Sequence, residues 1–237
     1  MLYFVHGLGF DEREWDRVAA FFSERGHTCR AVNLRDGLDL RHARLQDYVD
    51  VVTGMVSDED IVIGHSMGGL IVQKVAELSN IRAGVGICPA PPSGIQFNSP
   101  VRIRDILPAV KYLPRILLKQ PVKPDYALAR TLCSKYMCVG LPESVIRDIH
   151  GQMVEESSIV MRELAMRKTT IDEKMVTCPL VFIAMTQDRA IPPEAVKRIA
   201  EKYPTASYIC YEGCHHFFNN TNWREVAAGI DDFIAGL

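Results

Sequence analysis

The sequence predicts an α/β protein, with a mostly parallel sheet of about six strands flanked by helices and an inserted helical cap. Three observations lead to this fold class. Short apolar runs rich in β-branched residues alternate with segments of helical apolar spacing. A strand–turn–helix passage carries the pattern Gly-x-Ser-x-Gly at residues 64–68. The strand rhythm then stops between residues 95 and 176. Strands and helices that alternate in this way form a parallel sheet covered on both faces.

The elements follow from these patterns in chain order. Strands are expected at residues 2–5, 28–32, 61–63, 83–88, 180–185 and 207–211. A capping box of Asp11 and Glu14 predicts the start of the first helix, and Asn222 with Glu225 predicts the start of the last. Three further helices are expected, after residue 45, after the Gly-x-Ser-x-Gly turn and after Pro193.

The segment 95–176 is expected to be a helical insertion over a core formed by residues 1–94 and 177–237. Apolar residues such as Leu113, Ile116 and Leu132 recur there at helical spacing. The helical pieces are separated by prolines, namely Pro100, Pro108, Pro114, Pro121, Pro124 and Pro142. We predict a mobile cap that shapes a pocket above the sheet; the alternative is that these residues are ordinary core.

Composition excludes several classes of protein. The 237 residues are 48% hydrophobic and 24% charged, as in globular proteins, with a formal net charge of −2. We therefore expect no nucleic-acid partner. No apolar run reaches the roughly 18–20 residues of a membrane span, and the start of the chain lacks the basic residues of a signal peptide. The seven cysteines form no CxxC pair, which favours a cytoplasmic location.

Ser66 lies at the turn where the central strand meets its helix. A β-carbon at Gly64 or Gly68 would collide where the two elements meet, so the glycines allow a sharp turn that exposes the serine hydroxyl. A serine hydroxyl is a weak nucleophile and needs a base within hydrogen-bond reach. Histidine suits this role because its pKa is close to the working pH, and a carboxylate can hold its ring in one tautomer.

Two other loops at the carboxyl ends of predicted strands carry the partners that this chemistry needs. Asp188 directly follows one strand, and His215 and His216 follow the last. Ligand sites of open α/β sheets lie at this edge. A metal site at the two histidines is not expected, since nothing nearby supplies further ligands.

These motifs, in the order Ser, Asp, His, together with His6-Gly7-Leu8-Gly9 after the first strand, resemble the α/β-hydrolase superfamily, and especially its small carboxylesterase-like members. The resemblance implies an α/β-hydrolase fold and a cap domain. Members usually begin with an antiparallel hairpin, whereas this chain opens on the His-Gly strand, so six strands are expected and not eight.

The resemblance also implies the roles of individual residues. The family's usual Gly-x-Gly-His-aromatic loop, aligned on Gly213, makes His216 the base and Asp188 its partner, with His215 as the alternative base. The backbone amides of Leu8 and Met67 would form the oxyanion hole.

The function expected from these residues is a cofactor-independent serine hydrolase that cleaves small, apolar-leaning carboxylic esters through an acyl-enzyme intermediate. Thioesterase, lactonase and cofactor-free haloperoxidase or perhydrolase activity would use the same triad. A ligand-binding signalling module with a vestigial triad is the alternative outside enzymes. The expected partner is a small-molecule ester, and whether the chain forms a homodimer is left open.

Overall fold

Six strands form one parallel sheet in the computed structural model, which describes residues 1–98 and 102–237. In chain order they are β1 (Leu2–Val5), β2 (Cys29–Val32), β3 (Ile61–His65), β4 (Ala83–Ile87), β5 (Leu180–Met185) and β6 (Ala206–Tyr211). The order across the sheet is β2-β1-β3-β4-β5-β6, and every neighbouring pair is parallel. The predicted fold class is confirmed, and each strand lies within two residues of its expected bounds.

Alternate side chains of β1 enter two different cores, one on each face of the sheet. Leu2 and Phe4 belong to one core, and Tyr3 and Val5 belong to the other. All four are nearly or fully buried. Burying a large apolar side chain stabilises the fold by about 1.5–3 kcal/mol, so a sheet covered on both faces selects continuous apolar strands.

Ten α-helices accompany the sheet among the described residues. They are α1 (Asp16–Ser23), α2 (Leu45–Thr53), α3 (Met67–Leu78), α4 (Ile103–Ile106), α5 (Leu113–Leu117), α6 (Tyr126–Leu132), α7 (Glu143–Gln152), α8 (Ser158–Ala165), α9 (Pro193–Ala200) and α10 (Trp223–Ala235). Helices α1 and α10 pack in the core of Leu2 and Phe4, while α2, α3 and α9 pack in the core of Tyr3 and Val5.

In the described part of the chain between β4 and β5, the regular elements are helical and are joined by loops. This part contains α4 to α8, 3₁₀ turns at Leu107–Tyr112 and Glu173–Met175, and a π-helical turn at Cys133–Met137. The strand-like pairing found in its described part is an isolated antiparallel bridge between Val122 and Glu156. Pro100, one of the prolines that marked this segment, lies outside the described residues.

Across residues 1–98 and 102–237, no helix has both the length and the apolar character needed to cross a bilayer.

Candidate active site

Ser66 is held in a strained backbone conformation between β3 and α3. Its φ of 54° and ψ of −113° lie in a region that L-residues rarely adopt. The turn is tight because two glycines permit close approach. A β-carbon at Gly64 would lie 2.2 Å from the carbonyl oxygen of Gly68, and one at Gly68 would lie 2.1 Å from that of Val5. The sequence thus aims the Ser66 hydroxyl away from the sheet, at the carboxyl end of β3.

The imidazole of His215 lies between Ser66 and Asp188. Its Nδ1 is 2.6 Å from Oδ2 of Asp188, and its Nε2 is 3.0 Å from Oγ of Ser66. Because Nδ1 faces a carboxylate, it carries the proton, and Nε2 is left to accept the hydrogen bond that Ser66 donates. The other oxygen of Asp188 accepts hydrogen bonds from the backbone amides of Ala190 and Ile191, both at 2.9 Å. The carboxylate is therefore fixed on both sides.

The predicted position of His216 between Ser66 and Asp188 is wrong by one residue in this structure. His216 turns the other way, with Nδ1 2.7 Å from Oδ1 of Asn219 and Nε2 3.5 Å from Oε1 of Glu14. The cause is the fixed backbone of His215. Its N–H donates to the carbonyl of Met137 at 2.7 Å, and its own carbonyl accepts a hydrogen bond from Nε2 of His65 at 3.0 Å. With that peptide held, the side chain of His215 faces the serine.

Met67 directly follows Ser66 in the chain, and Leu8 lines the same cavity as Ser66; in the described part of the chain neither backbone amide donates to another backbone carbonyl outside the helices. Met67 is the first residue of α3, where backbone N–H groups have no partner within the helix. On the other side, the loop of Leu8 is held by its neighbours. Gly7 N–H donates to Glu14 at 2.8 Å, and Gly9 N–H donates to Glu156 at 3.1 Å. Both predicted oxyanion donors thus remain free to bind an oxygen.

A second buried network, formed by Glu14, His65 and His216, lies beneath this loop. Both ring nitrogens of His65 face acceptors, with Nδ1 3.1 Å from Glu14 and Nε2 3.0 Å from the carbonyl of His215. Burial by itself raises the pKa of Glu14, but the charge of His65 and the hydrogen bonds from both histidines lower that pKa overall.

The sequence pattern assigned Glu14 to a capping box, and this role is only half correct. Asp11 does cap the 3₁₀ turn Glu12–Trp15, with its side chain accepting from the amide of Arg13. The carboxylate of Glu14 does not return to Asp11 but enters the buried network. The sequence feature that could have indicated a buried Glu14 is its position directly before Trp15, which is itself buried.

Cys88, at the end of β4, is another residue that sequence reasoning did not assign to the site. Its sulfur and the side chains of Asp188 and His215 offer ligand atoms within 4.8 Å of one another. Burial, together with the charge of Asp188 and a hydrogen bond to it, raises the pKa of the Cys88 thiol. A protonated thiol donates to the carboxylate, while Asp188 and His215 are already engaged with each other and with Ser66. All three side chains thus already have hydrogen-bond partners within the site.

A cavity of about 210 Å³ opens above Ser66. Its floor contains Gly7, Leu8 and both histidines of the 215–216 pair. Its roof comes from the helical segment between β4 and β5, with the apolar side chains of Leu132, Met137, Ile149, Met153 and Met161. Of the three apolar residues singled out from the sequence, Leu132 lines the cavity, whereas Leu113 is 48% exposed. The walls can accommodate a small apolar group.

Comparisons with known proteins identify the family of the chain. The sequence profile described as "Alpha/beta hydrolase family" matches residues 2–229. Salicylic acid-binding protein 2 of Nicotiana tabacum is 24% identical over 231 residues, which cover 90% of this chain and 88% of that protein.

Solved structures show the same fold. A hydrolase from Oleispira antarctica superposes with a TM-score of 0.77 at 17% identity, covering 100% of this chain and 91% of that one. The enol-lactonase from Burkholderia xenovorans superposes with a TM-score of 0.74 at 17% identity, covering 99% of this chain and 90% of that one. A methylesterase from Arabidopsis superposes with a TM-score of 0.72 at 15% identity, covering 100% of this chain and 99% of that one. Because the family profile matches residues 2–229, the chain belongs to the alpha/beta hydrolase family.

Proposed function

We propose that this protein is a serine hydrolase that cleaves small, apolar-leaning carboxylic esters through an acyl-enzyme intermediate. The observation that carries the proposal is the hydrogen-bonded series Ser66–His215–Asp188 beneath an apolar cavity. The esterases, lipases and lactonase among the structural neighbours support ester hydrolysis as the reaction class.

In the first half of the reaction, Ser66 Oγ attacks the ester carbonyl while His215 Nε2 takes its proton. Asp188 stabilises the imidazolium that forms. The amides of Leu8 and Met67 bind the oxyanion of the tetrahedral intermediate, and His215 then returns the proton to the departing alcohol. In the second half, water attacks the acyl group of Ser66, with His215 again acting as base. The alcohol and the acid leave, and the site returns to its starting state.

We propose further that residues 95–176 form a cap that selects the acyl or alcohol group. Support comes from the apolar roof of the cavity, which this segment supplies. Two buried carboxylates anchor the later part of the segment to the core. Glu156 is bonded to Gly9, Tyr48 and Arg35, and Glu163 is bonded to Arg44 and the amide of Leu45. The carbonyls of Tyr136 and Met137 also accept hydrogen bonds from the core amides of Arg189 and His215, and Val122 bridges to Glu156, so we assign movement of the cap to residues 103–121.

Thioesterase, lactonase and perhydrolase activities remain alternatives on the same residues. The ligand-binding alternative is favoured by one observation, the name of the tobacco relative, which describes binding of salicylic acid. Steady turnover distinguishes an enzyme from a binding module.

The experiment is a panel of p-nitrophenyl esters and matched thioesters of increasing acyl length, assayed with the intact protein and with Ser66→Ala. We expect multiple turnovers of short and medium esters that depend on Ser66. Stoichiometric binding of small aromatic acids without turnover of any ester would favour the binding module and overturn the proposal.

A further inference from the structure

Helices α4 and α5 and the 3₁₀ turn between them expose an apolar face to solvent. We define the exposed stripe as Ile103, Leu107, Val110, Leu113, Leu117 and Leu118. Apart from the adjacent pair Leu117 and Leu118, its members recur at intervals of three or four residues, as expected for one side of a helical run. Ile103 is 80% exposed and Leu117 is 79% exposed. Scattered exposed leucines are ordinary, but a contiguous row of them on one face indicates a contact surface.

The same run also carries basic residues, and we define its basic flank as Arg102, Arg104, Lys111, Arg115 and Lys119. Residues 102–123 contain six Lys or Arg and one Asp, in a chain whose formal net charge is −2. Arg102, Arg104 and Lys119 are exposed and form no salt bridge with any carboxylate in the described part of the chain. Lys111 and Arg115 pair with Asp125 and Glu155 at the surface. An apolar face bordered by cations is the pattern of a helix that lies in a membrane interface.

A surface depression of about 300 Å³ lies at the start of this run. It is lined by Arg102, Arg104, Asp105, Lys135, Tyr136 and Arg189. Its one carboxylate, Asp105, is already engaged by Lys135 and by the hydroxyl of Tyr136, each at 2.5 Å. The guanidinium groups of Arg102, Arg104 and Arg189 are left to attract an anion from outside. A phosphate-bearing headgroup fits this combination of charge and size.

We propose that the exposed stripe and its basic flank dock the protein on an anionic phospholipid surface. Apolar side chains would enter the acyl boundary while the arginines and Lys119 contact headgroup phosphates. A second copy of the chain suits the surface less well, because a twofold interface would place the same basic flank on both sides. The proposal concerns the outside of the 95–176 segment and is independent of the chemistry at Ser66.

The test is co-sedimentation of the full chain with vesicles. Two compositions are compared, phosphatidylcholine alone and phosphatidylcholine with roughly one third phosphatidylglycerol. We expect binding to the anionic vesicles, weak binding to the neutral ones, and release at high salt, where surface charges are screened.

Two variants separate the apolar contribution from the electrostatic one. Ile103→Ser with Leu107→Ser and Leu117→Ser should weaken binding at least tenfold. Arg102→Gln with Arg104→Gln and Lys119→Gln should weaken binding about fivefold for each charge removed.

Matched control variants change exposed residues elsewhere on the molecule. Leu78→Ser with Met175→Ser controls for the apolar set, and Arg30→Gln with Arg41→Gln controls for the basic set. Both controls should bind vesicles like the unaltered protein.

All variants should keep the circular dichroism spectrum and melting temperature of the parent. The proposal is overturned if the parent does not bind anionic vesicles, or if the stripe variants bind as well as their controls. It is also overturned if sedimentation in solution shows a dimer that the stripe variant abolishes, with no vesicle binding. Ser66→Ala should lose ester turnover and still bind vesicles. The hydrolase proposal and the membrane proposal are therefore tested independently.

Discussion

His215 and His216 are adjacent in the chain, yet their rings face different carboxylates. His215 faces Asp188 and Ser66, and His216 faces Glu14 and Asn219. Both side chains are almost completely buried, so neither histidine lies at the surface. The difference between the two is one of hydrogen-bond partners, and substitution at each should affect different properties.

Replacing Ser66 with alanine should lower kcat by about six orders of magnitude, the loss measured when the nucleophile of a comparable triad is removed. A fluorophosphonate probe, read by peptide mass spectrometry, should label Ser66 in the parent and nothing in the variant. Labelling of a different serine would show that the nucleophile lies elsewhere.

Substitution of the two histidines should separate the base from its neighbour. His215→Ala should cost about as much kcat as loss of the serine, because within residues 1–98 and 102–237 it is the His215 ring that is hydrogen-bonded to Ser66 Oγ. His216→Ala should retain most of kcat and reduce thermal stability, since it removes a partner of Glu14. Kinetics and melting curves of both variants provide the measurement. The opposite result, an inactive His216 variant beside an active His215 variant, would restore the register predicted from the sequence.

Loops at the carboxyl ends of β3, β5 and β6 bring the site together at the scale of elements. The helical segment between β4 and β5 then closes over it, and Glu156 ties the two parts to each other. This carboxylate, 1% exposed, accepts from Gly9 N–H in the loop of Leu8 and from the hydroxyl of Tyr48 at 2.5 Å. The position of the helical segment and the position of the Leu8 loop are therefore coupled.

Glu156→Gln should lower both stability and kcat. It leaves Arg35, whose side chain is 10% exposed, without its counter-ion, and breaking a buried ion pair costs about 3–5 kcal/mol. Urea unfolding and ester kinetics measure the two effects.

The neighbouring Glu155→Gln is the matched control for Glu156→Gln. Glu155 is half exposed and pairs with Arg115 at the surface, so its loss should cost about 0–1 kcal/mol. Equal effects at both positions would refute the anchoring role of Glu156.

Leu132→Ala should change the preference among acyl chain lengths. The side chain lines the cavity, and the lost contact with a longer acyl group is worth about 1–3 kcal/mol in kcat/KM discrimination. Turnover of an acetate ester should be almost unchanged, because its acyl group is too short to reach the roof. Leu113→Ala, on exposed α5, serves as control and should leave the profile as it was. A profile that both variants alter equally, or that neither alters, would show that the pocket is not formed by this segment.

At the scale of the whole molecule, a charged network is buried between the sheet and its loops. Glu14 joins Gly7, His65 and His216 across three separate parts of the chain. Its lowered pKa means that the folded state favours the carboxylate more than the unfolded state does. The resulting stabilisation is fully present above the ordinary glutamate pKa of 4.5 and is lost as the pH falls below it.

Glu14→Gln should therefore destabilise the protein most at neutral pH. The difference in unfolding free energy between parent and variant should hold from pH 7 to about 4.5 and then shrink as the pH is lowered towards 3.5, because the unfolded parent takes up a proton there that its folded carboxylate does not. Urea melts at a series of pH values measure it, with exposed Glu24→Gln as control. A difference that stays constant over this range would contradict the assigned role of Glu14.

Much of this molecule follows from local sequence patterns. The strands were predictable because a two-sided sheet demands short, continuously apolar, β-branched runs, as in β3 and β5. The sharp turn at Ser66 was predictable because at Gly64 and Gly68 any β-carbon would collide with backbone. Ser66 and Asp188 could be proposed as partners because each follows a strand, and the carboxyl ends of parallel strands share one edge of the sheet.

Only the tertiary structure decided which histidine faces the serine. The loop after β6 is oriented by hydrogen bonds from His65 and to Met137, both distant in sequence, and no pattern within residues 213–217 encodes those partners. The same holds for Glu14, whose local spacing suits a helix cap while its burial beside His65 makes it part of the site. It also holds for the exposed stripe, since helical apolar spacing requires one common face but does not reveal whether protein or solvent covers it. Periodicity and steric limits act over a few neighbouring residues and can be read from the chain, whereas side-chain direction in loops and the covering of helices depend on contacts between remote segments.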